Sequence, residues 1–386
     1  MSPPPKAVNR HHPSTVTQAA SRRIPELDGL RGIAILLVLM FHLTPARIPL
    51  LAAYFVQAGW LGVDLFLILS GYLITGILVD SAGRSGYYRD FILRRTLRIF
   101  HLYFACLAMA CVRTYWPAYS RGHGFFETGG WWYAAYLGNI QVFLQNRWPL
   151  DVALLPLWSL QLEEQFYLTF PLLVAVVTRR NLARILLAAV IAAPLFRIAM
   201  VWAIPTNITG TYVLAPCRMD ALALGGLVAI VEREFDSWLR SRWIALLTAL
   251  SGAAVVAICW RYGPTPWSTA MRTVGFTASA WLFAGILILL IHQRRRGFLA
   301  VCRLRPLVWI GTISYGIYLV HLPMLDFVRA HSRTVFRVEP GSFPEALLIL
   351  IATVGVAWVS WRFFESPILK LREHFTVAPK DPAAPA

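Results

Sequence analysis

Residues 30–43 of the chain read LRGIAILLVLMFHL, an apolar run with a cation near one end and an imidazole near the other. An ionisable side chain within a membrane span is costly and is typical of a functional site. Arg31 and His42 are eleven residues apart, which at about 100° per residue makes three helical turns plus roughly 20°. The two side chains therefore share one helix face, with about 16 Å between them along the axis.

Similar apolar runs recur along the chain. Of the 386 residues 58% are hydrophobic, and runs long enough to cross a bilayer extend from Leu30 to Phe363. We therefore predict an all-α polytopic membrane protein, a bundle of about ten transmembrane helices. The predicted spans are 28–45, 60–79, 99–115, 157–178, 185–204, 214–231, 243–260, 273–292, 307–328 and 344–363.

The basic residues predict the orientation of this bundle. A net charge of +17 would suggest nucleic acid for a soluble chain, but Lys and Arg of membrane proteins collect in cytoplasmic segments. With the amino terminus inside, those segments hold 23 of the 36 Lys and Arg residues. We predict that both termini are cytoplasmic and that nucleic acid is not a partner. An eleventh span at 131–147 would invert the later part of the chain, so we interpret WWYAAYLGNIQVFL (131–144) as an interfacial or re-entrant element of an outer loop.

The composition of the chain ends differs from that of the centre. Residues 1–26 and 367–386 are predicted to be cytoplasmic tails, the first of them disordered, on either side of a membrane domain at 27–366. The five cysteines are odd in number and fall mostly in or beside apolar runs, so we interpret them as packing residues. The ligand spacing of a metal site is not present in the sequence.

The topology places the polar intramembrane residues in two layers. The inner, basic layer contains Arg31 together with Arg94, Arg95 and Arg98, of which the last two are three residues apart and share a helix face that can receive phosphates. Such arginines are also common as topology and snorkelling residues. The outer layer contains His42, Asp64, Glu163, Glu164, Arg218, Asp220 and His321.

Purely structural roles are also possible for these intramembrane residues. An intramembrane histidine is often a satisfied hydrogen-bonding group of the core. Asp64 or Asp220 could form a structural ion pair with Arg218. Gly71, within SGY, is typical of close helix packing.

Seven sequence blocks resemble a known family in the same order. They are LDGLRGIAILLVLMFH (27–42), GWLGVDLFLILSGYLIT (59–75), FILRRTLRIF (91–100), LPLWSLQLEEQFYL (155–168), RMDALALGG (218–226), ISYGIYLVHLPML (313–325) and RFFESP (362–367). Across almost its whole length the chain resembles membrane acyltransferase family 3, the O-antigen and exopolysaccharide O-acyltransferase type.

The resemblance implies a multi-pass O-acyltransferase of the bacterial cytoplasmic (inner) membrane. The donor would be cytoplasmic acyl-CoA, commonly acetyl-CoA, used as a substrate, with no permanently bound cofactor. The acceptor would be a hydroxyl of an extracytoplasmic glycan, such as a lipid-linked saccharide, or of a small molecule such as a macrolide. The chain ends soon after the last predicted span, so we expect that transfer finishes within the bundle or passes to a separate partner protein.

The resemblance also implies residue roles. Arg31 and His42 match the intramembrane Arg/His pair of the family, and Arg95 and Arg98 match its basic pair near the donor, with Arg94 beside them. This sequence departs from the family at His101, where proline is common.

The chemistry of the outer layer fits acyl transfer. A neutral His42 could deprotonate the acceptor hydroxyl, or it could itself be acylated transiently. Glu163, preferred over Glu164, or Asp64 could orient its imidazole, which makes His42, Glu163 and Asp64 the predicted catalytic residues. The residues predicted to line the substrate path are Trp158, Ser159, Tyr167, Arg218, Asp220 and His321.

Two other classes of protein remain open. A proton-coupled transporter or flippase would also place His, Asp and Glu inside a bundle. A dependence on acyl-CoA would distinguish the enzyme from it. A scaffold without catalysis would tolerate replacement of His42, apart from effects on stability.

Overall fold

The structure of the chain, a computed structural model, describes residues 24–44, 49–115, 124–292 and 297–371. These residues are mainly α-helical, with short 3₁₀ and π segments and connecting loops, and no β-strand occurs among them. The predicted all-α class is therefore confirmed. Residues 1–23 of the predicted first tail and 372–386 of the second lie outside the described residues.

The described residues contain α-helices along their whole length. The α-helices are α1 (Pro25–His42), α2 (Leu50–Gln57), α3 (Leu61–Ser81), α4 (Tyr87–Tyr115), α5 (Gly130–Ala134), α6 (Gly138–Gln145), α7 (Leu157–Val176), α8 (Arg179–Ala203), α9 (Gly210–Val213), α10 (Ala215–Glu234), α11 (Asp236–Leu239), α12 (Arg242–Tyr262), α13 (Phe276–His292), α14 (Arg305–Thr312), α15 (Ser314–His331), α16 (Phe343–Ser360) and α17 (Ser366–Leu371). A π-helical turn, Met271–Gly275, precedes α13, and another, Trp361–Glu365, follows α16.

Each predicted span coincides with a helix or a bent helix pair. Fewer than ten of these helices, however, have the length and composition that a membrane crossing needs. Among the described residues seven helices are long and apolar enough to cross a membrane, or eight if α14 and α15, bent by 74°, form one broken span. The count of ten is therefore not confirmed. The remaining two helices are α1, which carries three charged residues, and α7, which carries Glu163 and Glu164. Both helices carry predicted site residues, with Arg31 and His42 on α1 and Glu163 and Tyr167 on α7.

Helices α3 and α10 form the centre of the bundle. Most of α3 and α10 is buried, whereas α12 and α16 expose most of their surface, as peripheral helices facing lipid do. A Cβ atom at Gly71 of α3 would lie 2.0 Å from the carbonyl oxygen of Leu222 on α10. The prediction that Gly71 permits close helix packing is confirmed, since no side chain fits between the two backbones.

The long connection between α4 and α7 contains only short helices in its described part. With five and eight residues, α5 and α6 are far below the roughly 20 residues that a membrane crossing needs. This agrees with the prediction that WWYAAYLGNIQVFL is not a span.

Helix α4 continues without a break across His101, so the family's usual proline is not needed for a helix at this position.

Candidate active site

A narrow cavity of about 80 Å³ lies between α1, α3, α4, α7 and the junction of α14 with α15. Several of the predicted site residues meet at its wall, although they come from distant parts of the sequence. The polar and charged residues that line it are Arg31, Ser70, Arg95, Arg98, Ser159, Glu163, Tyr167, Ser314, Tyr315 and Tyr318.

The charge of the lining is mostly positive. Arg31 projects from α1, and Arg95 and Arg98 project from one face of α4. Asp28 lies 3.6 Å from Arg31, and the ring of Tyr167 lies 5.3 Å from the guanidinium carbon of Arg95. Three guanidinium groups therefore face one lining carboxylate, that of Glu163, an arrangement suited to an anionic ligand.

Glu163 is held by two hydroxyl groups. Ser70 donates to Oε1 at 2.9 Å, and Tyr167 donates to Oε2 at 2.6 Å. Tyr167 follows Glu163 by four residues, so one face of α7 presents both side chains. These contacts hold the carboxylate towards the arginines of α1 and α4. The neighbouring Glu164 is not among the lining residues of the cavity.

His42 lies beside a second histidine. The ring centroids of His42 and His321 are 4.9 Å apart. Nδ1 of His42 donates to the carbonyl oxygen of Val38 at 2.9 Å, and Nδ1 of His321 donates to that of Tyr318 at 2.6 Å. Because a carbonyl only accepts, each neutral ring carries its proton on Nδ1 and a lone pair on Nε2. Nε2 of His321 has no hydrogen-bond partner among the described groups, and that side chain is fully buried.

A tyrosine connects the histidine pair to the cavity. The rings of His321 and Tyr318 are 5.6 Å apart, and the hydroxyl of Tyr318 lies 2.7 Å from Oγ of Ser159. Tyr318 and Ser159 both line the cavity. A continuous series of polar side chains therefore runs from His42 to the arginine-lined space.

The structure does not show the predicted contact between His42 and a carboxylate group. The carboxylate of Glu163 accepts from Ser70 and Tyr167, and that of Asp64 pairs with Arg218 and accepts from Ser279. The orienting contact of His42 is instead the backbone carbonyl of its own helix. Spacing along the sequence gave no information on which helix packs beside His42.

Three further predicted residues belong to a separate buried cluster. Arg218 pairs with Asp64, and Arg197 pairs with Asp220 at 3.0 Å, all with almost no exposed surface. None of the four lines the cavity. The pairing of Asp64 with Arg218 that the sequence allowed is therefore present, and it joins α3 to α10.

Two other predicted residues also lie away from the cavity wall. Trp158 packs its ring 4.6 Å from that of Tyr212. Arg94 precedes Arg95 on α4, and neither Trp158 nor Arg94 is a lining residue. The cavity lining therefore gives no support to a binding role for either residue, and no observation tests those roles.

The predicted site residues did not include four of the polar lining residues, which are Ser70, Ser314, Tyr315 and Tyr318. Ser70 lies in a largely apolar helix, and the hydroxyl of Tyr315 donates to the carbonyl of Ile99 at 2.9 Å. All four lie within blocks that resemble the family, at 59–75 and 313–325.

Comparison with known proteins assigns the chain to a family. The profile of the family described as "Acyltransferase domain" matches residues 24–362. The chain belongs to membrane acyltransferase family 3, as its sequence blocks indicated. No solved structure matches the chain significantly.

Several relatives are similar over most of this chain. The O-acetyltransferase OatA of Staphylococcus aureus (strain NCTC 8325 / PS 47) is 28% identical over 383 residues, which cover 90% of this chain and 58% of that protein. The peptidoglycan O-acetyltransferase OatA of Listeria monocytogenes is 28% identical, with coverage of 92% and 57%. YrhL of Bacillus subtilis (strain 168) is 30% identical over 373 residues, with coverage of 90% and 55%. The chain thus spans little more than half the length of these relatives.

Proposed function

We propose that the chain is an O-acyltransferase of the bacterial cytoplasmic membrane that moves an acetyl group from cytoplasmic acetyl-CoA to a hydroxyl of an extracytoplasmic glycan. The observation that carries this proposal is that the cavity lined by Arg31, Arg95 and Arg98 is joined through Tyr318 to the His42–His321 pair, which lies beyond the cavity lining. It provides an anion-binding end and a basic end within one membrane domain.

The arginine end suits the donor. Coenzyme A is polyanionic, and guanidinium groups bind phosphate oxygens in a bidentate manner. In the proposed orientation the end of the bundle with Arg95 and Arg98 is cytoplasmic, where acyl-CoA is found. The phosphates bind at this end, and the uncharged pantetheine arm extends between the helices towards His321.

His42 supplies the base in the proposed reaction. Its Nε2 lone pair takes the proton of the acceptor hydroxyl while the oxygen attacks the thioester carbonyl carbon. The new C–O bond forms as the C–S bond breaks, and the CoA thiolate leaves with the proton from the imidazolium. The hydrogen bond from Nδ1 to Val38 stabilises this imidazolium and fixes the ring.

The relatives support a glycan as the acceptor. The Listeria relative is named a peptidoglycan O-acetyltransferase, and a saccharide hydroxyl is the kind of nucleophile that a histidine base activates.

Purified protein in lipid nanodiscs tests the proposal against a proton-coupled transporter. We expect labelled acetyl-CoA to yield an acetylated glycan and one equivalent of free CoA thiol, both unaffected by a protonophore. Movement of a solute across proteoliposomes that needs a proton gradient and no acyl-CoA would contradict it.

A further inference from the structure

A second and much larger cavity lies near the other end of the bundle. Its volume is about 690 Å³, within the range of about 300–1,000 Å³ that is usual for ligand sites. The carboxy-terminal end of α4, the described part of the α4–α7 connection and the second half of α15 form its wall. Its wall includes Arg113, Gln141, Gln145, Trp148, Asp151 and Asp326.

The two cavities lie at successive levels of the same helices. On α15 Tyr318 lines the narrow cavity and Asp326 lines the large one, about 12 Å further along at 1.5 Å per residue. On α4, Arg98 lines the narrow cavity and Arg113 lines the large one, and these two residues are about 22 Å apart along the helix axis. His321 stands between the two levels of α15. Along the axis of α15, His321 therefore lies between the level of the arginine-lined cavity and that of the large one, and neither His321 nor His42 lines either cavity.

The charge of the large cavity differs from that of the narrow one. Arg113 donates to Asp326 at 2.6 Å and lies 3.5 Å from Asp151, so its charge is neutralised within the wall. Arg147 and Glu127 are the other charged residues of the lining. Two arginines therefore meet three carboxylates, whereas three arginines meet one carboxylate in the narrow cavity. A polyanion such as CoA has no surplus cation to bind here.

The remaining side chains offer hydrogen bonds and an aromatic face. The side-chain amide of Gln141 donates to the carbonyl of Thr128 at 3.1 Å, and Oε1 of Gln145 accepts from Arg147 at 3.2 Å, so both amides are oriented. Trp148 is partly exposed, and its indole is packed against the rings of Tyr212 and Trp267. A sugar ring needs alternating donors and acceptors for its hydroxyls and a flat apolar surface for its C–H face.

We infer that this large cavity binds the acceptor, as an uncharged oligosaccharide packed on Trp148 and hydrogen-bonded by Gln141 and Gln145. The inference deepens the proposed function, on which it rests for the role of the sugar as acceptor. One hydroxyl of the bound saccharide then reaches the level of His321 and His42 from the side opposite to the donor.

Binding without the donor tests the site directly. Neutral tetrasaccharides of N-acetylglucosamine, glucose, mannose and galactose, an acidic tetramer of galacturonate and a macrolide are titrated by calorimetry into the full chain in nanodiscs. We expect at least one neutral tetramer to bind, and we expect Trp148→Ala to lower the affinity for that tetramer tenfold or more. Trp148→Phe should retain most of the affinity, and Trp202→Ala, which removes a more exposed indole outside the cavity, should retain all of it.

The outcomes separate this inference from the proposed function. Neutral tetramers that fail to bind, or that bind equally to Trp148→Ala, would overturn the saccharide site, as would binding of the galacturonate tetramer or the macrolide alone. Acetyl-CoA is titrated in parallel. If acetyl-CoA binds the wild type and Arg95→Gln lowers its affinity, the proposed donor site is supported even when the saccharide site fails. If it does not bind but a tetramer does, the saccharide site stands without the acetyl-CoA reaction.

Discussion

The imidazole rings of His42 on α1 and His321 on α15 lie 4.9 Å apart at an interplanar angle of 62°. Each ring donates a hydrogen bond from Nδ1 to a backbone carbonyl oxygen. The Nε2 atoms are therefore the ring nitrogens that can contact a substrate. Two imidazolium ions this close in a buried site would repel each other. We therefore expect one proton at most to be shared by the pair during the reaction.

We predict that His321→Gln lowers kcat for acetyl transfer about tenfold to a hundredfold, because the ring beside the base is lost, and leaves the KM for acetyl-CoA unchanged. The matched control is His331→Gln on the same helix, an exposed ring with the same Nδ1 contact to a carbonyl. A pH profile of kcat is measured for each variant. If His321 only fills the core, kcat per folded molecule and the pH profile stay those of the wild type.

Two adjacent arginines of α4 test the proposed donor site. Arg95 lines the narrow cavity and Arg94 does not. We predict that Arg95→Gln raises the KM for acetyl-CoA tenfold or more, because a charge-assisted hydrogen bond to a phosphate is worth about 1.5–3 kcal/mol. Arg94→Gln should change it less than twofold. Equal effects of the two substitutions in steady-state kinetics would argue against the cavity as the donor site.

The buried pair of Asp64 and Arg218 is predicted to stabilise the fold and to take no part in the chemistry. Asp64→Leu leaves a buried guanidinium without its ion-pair partner and should cost about 3–5 kcal/mol of unfolding free energy. Replacing Arg218 by Met in the same chain should restore much of it. Chemical unfolding in detergent measures this. A catalytic Asp64 would reveal itself if the stable double variant folded but lost activity a hundredfold or more.

Glycine substitutions test the packing of α3 against α10. A Cβ at Gly71 would meet the Leu222 carbonyl oxygen at 2.0 Å, whereas Gly355 on α16 has nothing within 4 Å. We predict that Gly71→Ala separates the helices and sharply lowers the yield of folded protein. Gly355→Ala should be neutral or stabilise the helix by up to about 1 kcal/mol. Size-exclusion profiles of the purified variants would show this difference, and similar yields would place the two helices further apart.

Features that depend on one helix were predictable from the sequence. The common face of Arg95 and Arg98 and the contact of Tyr167 with Glu163 follow from a spacing of three or four residues. The short helices between α4 and α7 followed from the charge balance of the loops, because a crossing there would have reversed the orientation of the later basic segments.

Features that depend on pairs of helices were less predictable. The neighbour of His42 proved to be His321 and not a carboxylate, because the crossing and register of α1 with α15 decide which side chains meet. The count of ten spans also exceeded the number of described helices that are long and apolar enough, because α1 carries three charged residues and α7 carries two adjacent glutamates. The large cavity depends on a connection whose shape no periodicity describes.

The central claim is that His42 supports acetyl transfer from acetyl-CoA on one side of the membrane to an acceptor on the other. Labelled acetyl-CoA is added to sealed inside-out vesicles that contain the wild type or folded His42→Ala protein, with the glycan acceptor in the lumen. The account predicts label on the lumenal glycan with the wild type and a loss of about 10²–10⁴-fold with His42→Ala, the range for a missing general base. Equal labelling by the two proteins, or none with the intact wild type and its acceptor, would contradict it.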